Sequence, residues 1–273
     1  DEFSIAFGGE ISEDMEEHAE NPNPVSGKAD EEELNGFDIE KLNENDLDED
    51  VMEKMAPMAI IGNDDRQPIF HSNKWPYSAH GQLVAVFPNG AIRISSGTLI
   101  NKRHVITAGH SVHDKKLGGW AKSLDFYPGR NNNSLPFGKV QVAKKFCVQQ
   151  WTTHQDVNWD FAVLVLEKNI GKYTGFCGVI GYKDHEHKKL LHQKVNVTGY
   201  PMSKGGNQMY THADTIKATS QHRFLYNIDT SKGQSGSGVW GTFLGKKGYL
   251  VCGVHTTGHY SGNGATRISE HVL

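Results

Sequence analysis

The chain has 273 residues, of which 37% are hydrophobic and 22% are charged, an ordinary composition for a globular protein. It contains no run of about 18 apolar residues, which argues against a membrane-spanning helix. The net charge of −4 conceals a division, because residues 1–58 hold 20 Asp and Glu but only three Lys, giving −17 and leaving +13 on residues 59–273.

Residues 1–58 are rich in Asp, Glu and Asn and poor in aromatic residues, a composition too polar to bury a core of its own. They form either a flexible acidic tail or a pro-segment that lies on the basic remainder of the chain. The opposite charges favour the pro-segment. The first residues, Asp1–Ser4, lack the basic and apolar regions of a secretory signal, so a signal is absent or was removed before this chain begins.

From residue 59 onwards, short β-type runs alternate with Gly, Pro, Asn and Asp breakers, without amphipathic helices between them. About a dozen such runs predict an all-β sandwich or barrel. The runs are Gln82–Phe87, Ala91–Ser96, Gly97–Ile100, His104–Ala108, Val140–Phe146, Phe161–Leu166, Lys194–Gly199, Thr215–Ser220, Phe224–Ile228, Gly238–Phe243 and Tyr249–His255.

The three cysteines, Cys147, Cys177 and Cys252, fit neither a zinc-binding spacing nor an even disulfide framework. They permit one disulfide with one free thiol, or three buried thiols. Cys252 lies in an apolar run, which favours a thiol in the core at that position.

The stretch Gly233–Gly238 places Ser235 between glycines, with strand-like segments on both sides. Its backbone has the freedom to present two consecutive N–H groups next to a hydroxyl, as a serine nucleophile with an oxyanion hole requires. A Gly/Ser-rich surface turn is the alternative interpretation. The stretch becomes informative only if a base and an orienting acid lie elsewhere in the chain.

Two other stretches offer that base and that acid. Val105–His110 is a hydrophobic strand that runs into small residues and then a histidine. Asp160 opens the apolar run Phe161–Leu166, and a buried carboxylate there must be paired or hydrogen-bonded. It either caps a loop or accepts the Nδ1–H of a histidine, which leaves Nε2 free to take a serine proton.

The order His110, Asp160, Ser235 on an all-β background is that of the chymotrypsin-type proteases. The sequence resembles their glutamyl endopeptidase branch over most of residues 59–273. The matching segments are Asn63–Arg66, Thr107–His110, Asn158–Leu166, Val195–Pro201, Asp229–Ser237, Gly253–His255 and Gly262–Ala265. The resemblance implies two antiparallel six-stranded β-barrels with the active site between them, barrel one over about 59–180 and barrel two over about 181–273.

By the same resemblance, Ser235 is the nucleophile, His110 the general base and then acid, and Asp160 the orienting carboxylate. The backbone N–H groups of Gly233 and Ser235 form the oxyanion hole. Metal and cofactor are expected to be absent.

Three positions depart from the family pattern. Gln234 precedes the serine where Asn or Asp is usual, and Gly238 stands in place of Pro. Ser111 replaces the half-cystine of animal trypsins, so that disulfide is missing. None of these changes removes an atom that takes part in the expected chemistry.

The resemblance also implies a substrate pocket. Thr230 and His255 occupy the family's S1 positions, and a hydroxyl with an imidazole can bind a carboxylate by charge-assisted hydrogen bonds. A preference for basic residues would need an acid instead, for which Asp229 is the candidate. We therefore expect cleavage after Glu, and more slowly after Asp, by a secreted monomer. The family's use of its mature α-amino group predicts a zymogen activated by cleavage near Met58–Ile61.

Other functions stay open at this point. The alternatives are a serine protease of different P1 specificity and a catalytically inactive protease-like binding module. A nucleic-acid-binding β-barrel would use the basic surface, but the Lys and Arg residues are scattered and no binding motif is present. We therefore expect peptide substrates and the intramolecular pro-segment as partners, without nucleic acid or a membrane.

Overall fold

The computed structural model of the chain describes residues 3–5, 55–56, 58–259 and 262–269. Most of the expected pro-segment, residues 1–58, therefore lies outside the described residues. The described helices are short: α1 spans Gln149–His154 and α2 spans Gly171–Thr174. No helix in the described part of the chain is long and apolar enough to cross a membrane.

The described elements are mostly β-strands. In chain order they are β1 (Phe3–Ile5), β2 (Met55–Ala56), β3 (Gln67–Pro68), β4 (His80–Val86), β5 (Ile92–Leu99), β6 (His104–Thr107), β7 (His113–Asp114), β8 (Gly119–Trp120), β9 (Ser123–Pro128), β10 (Val140–Cys147), β11 (Ala162–Leu166), β12 (Gly178–Gly181), β13 (Lys194–Gly199), β14 (Tyr210–Thr219), β15 (Arg223–Tyr226), β16 (Gly238–Gly241), β17 (Leu250–His259) and β18 (Gly262–Arg267).

Barrel one closes in the order β10-β11-β6-β5-β4-β9. Its strands are antiparallel, and their side chains alternate between core and surface because successive residues of a strand face opposite ways. In β11, Ala162, Leu164 and Leu166 are buried, whereas Val163 and Val165 are half-buried. The apolar run that begins after Asp160 thus fills the core of this barrel.

Barrel two closes in the order β17-β16-β13-β14-β15-β18, with β18 pairing back to β17. Its core includes Val195 and Val197 of β13, both fully buried. Two six-stranded antiparallel barrels were the fold that the family resemblance implied, and the structure confirms it.

Two predicted strands merge, and two of the twelve barrel strands were missed. The runs Ala91–Ser96 and Gly97–Ile100 form the single strand β5. The strands β9 and β18 were not among the predicted runs. β18 contains two glycines and an asparagine, and it is a strand because it pairs with β15 on one side and β17 on the other.

The segment that leads into barrel one lies on barrel two. β3 pairs with β14 of barrel two, and β12, which ends at Gly181, pairs with β17. Contacts therefore cross the expected division near residue 180, and the domain boundaries stay a prediction.

All three cysteines carry free thiols. Cys177 and Cys252 are fully buried, and burial raises the pKa of Cys177 to about 12. Burial, helped by the charge of Asp160, raises the pKa of the half-buried Cys147 to about 12. Cys252 packs in the core of barrel two, as its apolar context predicts.

Candidate active site

His110 and Asp160 form a hydrogen-bonded pair at the edge of barrel one. The His110 ring atom Nδ1 lies 2.7 Å from Asp160 Oδ2, and the His110 backbone N–H donates to Oδ1 at 2.8 Å. The Asp160 side chain is 1% exposed and the His110 side chain 23% exposed. A buried carboxylate that accepts Nδ1–H leaves the exposed side of the imidazole with Nε2 unprotonated.

The turn that follows β6 holds His110 in place. A Cβ at Gly109 would lie 2.8 Å from the Trp151 ring and 3.0 Å from Asp160 Oδ1, so only a glycine lets the turn pack this closely. Arg93 donates a hydrogen bond to the His110 carbonyl and pairs with Asp114 at 2.7 Å. The small residue before the histidine is therefore required by packing.

Ser235 lies in a turn between β15 and β16, which we call the Ser235 loop (residues 231–236). Gly233 and Gly236 have φ angles of +94° and +87°, a region that favours glycine. A Cβ on Gly236 would overlap the Thr107 hydroxyl and the Ser96 carbonyl. This close approach brings the Ser235 loop against the end of β6, three residues before His110.

Strand β5 ties the Ser235 loop to barrel one. Ser96 donates its N–H to the Ser235 carbonyl at 2.8 Å and its hydroxyl to the Gly233 carbonyl at 2.8 Å. The same hydroxyl accepts the Tyr200 N–H at 3.0 Å. Ser235 is 7% exposed, and among the described contacts no hydrogen bond joins it to His110. Catalytic hydrogen bonds are often long in a structure without substrate.

Two backbone N–H groups beside Ser235 remain available. Within the part of the chain that the structure describes, neither the Gly233 nor the Ser235 N–H donates to another group. The Lys232 carbonyl accepts the Met202 N–H at 2.7 Å, and a trans peptide directs its N–H away from its carbonyl. The Lys232–Gly233 peptide is thus held with the Gly233 N–H directed away from Met202.

His255 lies beside the Ser235 loop on β17. Its N–H donates to the Ser237 carbonyl at 2.8 Å, and its carbonyl accepts the Gly236 N–H at 2.7 Å. The residue is fully buried, and burial lowers the pKa of its imidazole to about 3. The ring is therefore neutral at neutral pH.

The neutral His255 ring has one nitrogen engaged and one available. Nδ1 lies 2.7 Å from the Tyr226 hydroxyl, and burial raises the Tyr226 pKa well above its usual range, so that hydroxyl keeps its proton. If the tyrosine donates to Nδ1, the ring proton lies on Nε2. Among the described residues, the buried Thr230 hydroxyl has no hydrogen-bond partner, and His255 Nε2 has none with normal hydrogen-bond geometry, although the Gly264 backbone interacts with the His255 ring.

Asp229 is engaged in holding the chain that precedes barrel one. Its two carboxylate oxygens accept the N–H groups of Ile61 and Asp65, both at 2.8 Å. The residue is fully buried. The carboxylate that a preference for basic substrates would require is thus used as an anchor for residues 61–65.

Residues just before barrel one lie beside Thr230. The Ala59 carbonyl accepts the Thr230 N–H at 3.1 Å and the Asn263 side-chain N–H at 2.7 Å, and the Ala59 N–H donates to Asn263 Oδ1 at 3.0 Å. Further upstream, β2 pairs antiparallel with Gly258–His259 of β17. The stretch around Ala59 is therefore docked against the candidate pocket in the uncleaved chain.

The structure adds residues that sequence reasoning assigned no role. Ser96 carried no local signal, because a single serine in a strand is ordinary. Asn263 and Arg66 lay inside matched segments, which was the signal that could have found them. All three contact the candidate site or the segment docked beside it.

One group of described residues has the types and spacing to hold a metal ion: Asp65, His212 and Asp229. However, His212 Nδ1 already lies 2.9 Å from the Asp229 N–H, and both Asp229 oxygens accept backbone N–H groups. These donor atoms are engaged in joining β14 to the segment around Asp65. The ligand atoms of two of the three residues therefore already serve contacts within the chain.

Known proteins match this chain over both barrels. The family described as Trypsin matches residues 70–269. The chain is 30% identical over 223 residues to the "Extracellular metalloprotease" of Bacillus subtilis (strain 168), spanning 81% of this chain and 70% of that protein. It is also 30% identical over 221 residues to the "Glutamyl endopeptidase" of Bacillus licheniformis, spanning 79% and 67%.

The fold matches a solved structure. A Glu endopeptidase in complex with MPD superimposes with a TM-score of 0.67 at 22% identity, covering 78% of this chain and 95% of that one. At this identity the likeness shows the shared fold. The matched regions contain His110, Asp160 and Ser235.

Proposed function

The chain belongs to the Trypsin family, in its glutamyl endopeptidase branch, and we propose that it is a serine endopeptidase using Ser235, His110 and Asp160. The observation that carries the assignment is the His110–Asp160 pair, in which one buried carboxylate accepts both the backbone N–H and Nδ1–H of one histidine. This arrangement fixes the imidazole and its tautomer.

In this reaction the Ser235 hydroxyl oxygen attacks the carbonyl carbon of the scissile peptide while its proton passes to His110 Nε2. The carbonyl oxygen becomes an oxyanion and accepts the N–H groups of Gly233 and Ser235. His110 then gives the proton to the leaving amine, and the C–N bond breaks. Water repeats the sequence, using His110 as base, and releases the acid product and the Ser235 hydroxyl.

We assign the P1 carboxylate of Glu, and more weakly of Asp, to His255 and Thr230. The support is physical: two buried groups, each able to donate a hydrogen bond to a carboxylate, have no hydrogen bond of normal geometry among the described residues. Because the pKa of His255 is lowered to about 3, the imidazole donates as a neutral group. The excess of positive charge on residues 59–273 attracts acidic substrates to the same cleft.

We further propose that the full chain is a zymogen with residues 1–58 as its pro-segment. The support is that Ala59 already lies against Thr230 and Asn263, so cleavage near residues 58–61 would create an α-amino group beside the pocket. A positive charge there would add to the binding of a P1 carboxylate. The same segment is anchored by Asp229 at Ile61.

Trypsin-family membership implies protein or peptide substrates. Secretion and a monomeric state are part of the proposal. Secretion is supported by the word "extracellular" in the name of the Bacillus subtilis relative. That name also suggests metal-dependent hydrolysis, but in the single candidate cluster among the described residues the ligand atoms of His212 and Asp229 already form hydrogen bonds within the chain.

The first test uses Ser235→Ala, with Ser237→Ala as the neighbouring control. We expect Ser235→Ala to lose about 10⁴-fold or more in kcat, scaled from triad knock-outs, and to escape labelling by a fluorophosphonate. Ser237→Ala should be labelled like the wild type, with all three proteins tested in the form that begins at residue 59. Undiminished peptide cleavage by Ser235→Ala would overturn the assignment, whereas a wild-type protein that is not labelled in this shortened form would favour the inactive binding module.

The second test compares the full chain with protein that begins at residue 59, on peptides that differ only in P1 as Glu, Asp, Arg or Phe. N-terminal sequencing of the active form identifies the cleaved bond. We expect the shortened protein to be more active and to prefer Glu. Equal activity of the two forms contradicts the zymogen, and a preference for Arg or Phe contradicts the pocket assignment.

A further inference from the structure

Arg66 is a buried cation that uses every one of its donors. Its side chain is 1% exposed. Nε and Nη2 donate to the two carboxylate oxygens of Asp64 at 2.8 and 2.9 Å. The remaining bonds reach Ser231 Oγ at 2.9 Å, Gln234 Oε1 at 3.0 Å and Ser203 Oγ at 3.0 Å. A guanidinium has five N–H donors, so all of them are engaged.

Asp64 compensates the charge that Arg66 buries. The hydrogen bond from Arg66 holds the pKa of Asp64 well below its usual range, so the carboxylate stays ionised. Lys204 also pairs with Asp64, at 2.8 Å, but from a side chain that is 36% exposed. Arg66 is thus fixed from one side by Asp64, while its other side is bonded to Ser203 and the Ser235 loop.

Arg66 joins two segments, residues 202–203 and the Ser235 loop. These segments meet at the Lys232–Gly233 peptide, which carries the Gly233 N–H. Met202 N–H donates to the Lys232 carbonyl at 2.7 Å, which fixes the plane of the Lys232–Gly233 peptide. Gly233 has φ +94°, and a glycine does not restrict its own backbone. The orientation of this N–H therefore depends on keeping residues 202–203 and the Ser235 loop together.

Arg66 reaches both segments directly. On one side it bonds to Ser203, whose hydroxyl lies 2.8 Å from that of Ser231. On the other side it bonds to Gln234 Oε1, which also accepts the Ser231 N–H at 3.0 Å. Both lone pairs of that amide oxygen are thus used, and a flipped amide would place NH₂ against two donors.

We propose that Arg66 is a positioning residue that clamps residues 202–203 to the Ser235 loop and so keeps the Gly233 N–H directed at the oxyanion. The inference rests on the proposed function, in which that N–H stabilises the transition state. All five Arg66 donors are engaged within the chain, so Arg66 acts on the reaction through Ser203, Ser231 and Gln234 and not by contact with the substrate. Loss of the clamp should weaken transition-state binding more than substrate binding.

The test measures kcat and KM on a P1-Glu peptide for Arg66→Met, Arg66→Lys and Lys204→Met, each brought to the same active form as the wild type. Removing an oxyanion donor costs about 10²- to 10³-fold in kcat, so we expect Arg66→Met to lose about 10²-fold in kcat with KM changed less than about threefold. Arg66→Lys should be intermediate, because an ammonium keeps the charge but has fewer donors.

Lys204→Met is the matched control. It removes a partner of the same Asp64 carboxylate without touching the Ser235 loop, and it should keep the wild-type kcat. Wild-type kcat in a folded Arg66→Met protein, or an equal loss in Lys204→Met, would overturn the inference. If Ser235→Ala also kept its activity, the proposed function itself would be wrong, so the two failures are distinguishable.

A second variant covers the case in which Arg66→Met does not fold. Gln234→Met removes one Arg66 bond and leaves the Asp64 pair in place. We expect a lower kcat with a small change in KM, and a slower rate of fluorophosphonate labelling by a similar factor. A Gln234→Met protein that folds and matches the wild type in both measurements contradicts the clamp.

Discussion

The two barrels bring polar groups to the cleft in opposite states. On barrel one, each carboxylate oxygen of Asp160 accepts a hydrogen bond from His110, one from its backbone N–H and one from its ring. On barrel two, Thr230 Oγ1 and His255 Nε2 are buried without a hydrogen bond of normal geometry among the described residues. The first arrangement is complete before any substrate arrives, and the second lacks its acceptor.

This difference is consistent with the proposal that a ligand binds at Thr230 and His255. A buried polar group without a hydrogen bond costs about 1–3 kcal/mol, so a site that retains several of them is stabilised by the ligand that supplies the bonds. The His110–Asp160 pair needs no such help, since its hydrogen bonds hold the imidazole. Changes to the pair should therefore affect kcat, and changes to the pocket should affect the choice of substrate.

The largest effect is expected for Asp160→Asn. An amide cannot accept Nδ1–H with its NH₂ group, so the histidine adopts the wrong tautomer, and we expect kcat to fall about 10⁴-fold with little change in KM. Asp156→Asn is the control, because Asp156 lies in the same loop and only caps a turn at the Asn158 N–H. An Asp160→Asn protein within about tenfold of the wild type would show that the pair does not orient the base.

A smaller effect is expected for Thr230→Val, which removes a hydroxyl at nearly constant volume. A hydrogen bond to a charged group contributes about 1.5–3 kcal/mol, so kcat/KM for a P1-Glu peptide should fall about 10- to 100-fold. The loss should be smaller on the uncharged P1-Gln peptide, and Thr230→Ser should keep most of the activity. Equal losses on the Glu and Gln peptides would place the hydroxyl outside the pocket.

The smallest effect concerns stability, and it extends the comparison to a buried histidine of barrel one. Burial lowers the pKa of His80 to about 3, so the folded state keeps it neutral while the unfolded state binds a proton below its ordinary pKa of 6.5. The free energy of unfolding should therefore fall as pH decreases from 6.5 towards 3. Between pH 7 and 5 this one group accounts for at most about 2 kcal/mol.

Denaturant unfolding of the wild type and of His80→Gln at pH 7 and pH 5 measures that contribution. The difference between the two pH values should shrink in the variant. His71→Gln, which changes an exposed histidine, should keep the wild-type difference. An unchanged pH dependence in His80→Gln would mean that the ring is not held neutral by burial.

Much of the site was accessible from sequence because its residues lie in local patterns. Ser235 sits between glycines, His110 follows a strand that ends in small residues, and Asp160 precedes an apolar run. The structure explains two of these patterns by packing, since Gly109 and Gly236 each leave no room for a Cβ. At these positions close packing requires the same small residues that the sequence pattern of the candidate site contains.

The remainder depends on contacts between distant segments. Strand β18 has little apolar character, and it is a strand because β15 and β17 flank it. The role of Ser96 depends on the Ser235 loop, 139 positions later, and that of Arg66 on Gln234, 168 positions later. Pairing across such separations leaves no periodicity in the sequence near either partner.

The absence of a side chain at Gly236 has a mechanical consequence for the cleft. A Cβ at this position would overlap the Thr107 hydroxyl and the Ser96 carbonyl, so the backbone of the Ser235 loop approaches barrel one closely here. A contact this close acts as a fixed pivot, about which the barrels cannot slide without losing the Ser96–Ser235 hydrogen bond. The width of the groove at Ser235 is therefore set by the framework, and adaptation to different peptides must come from the loops that surround it.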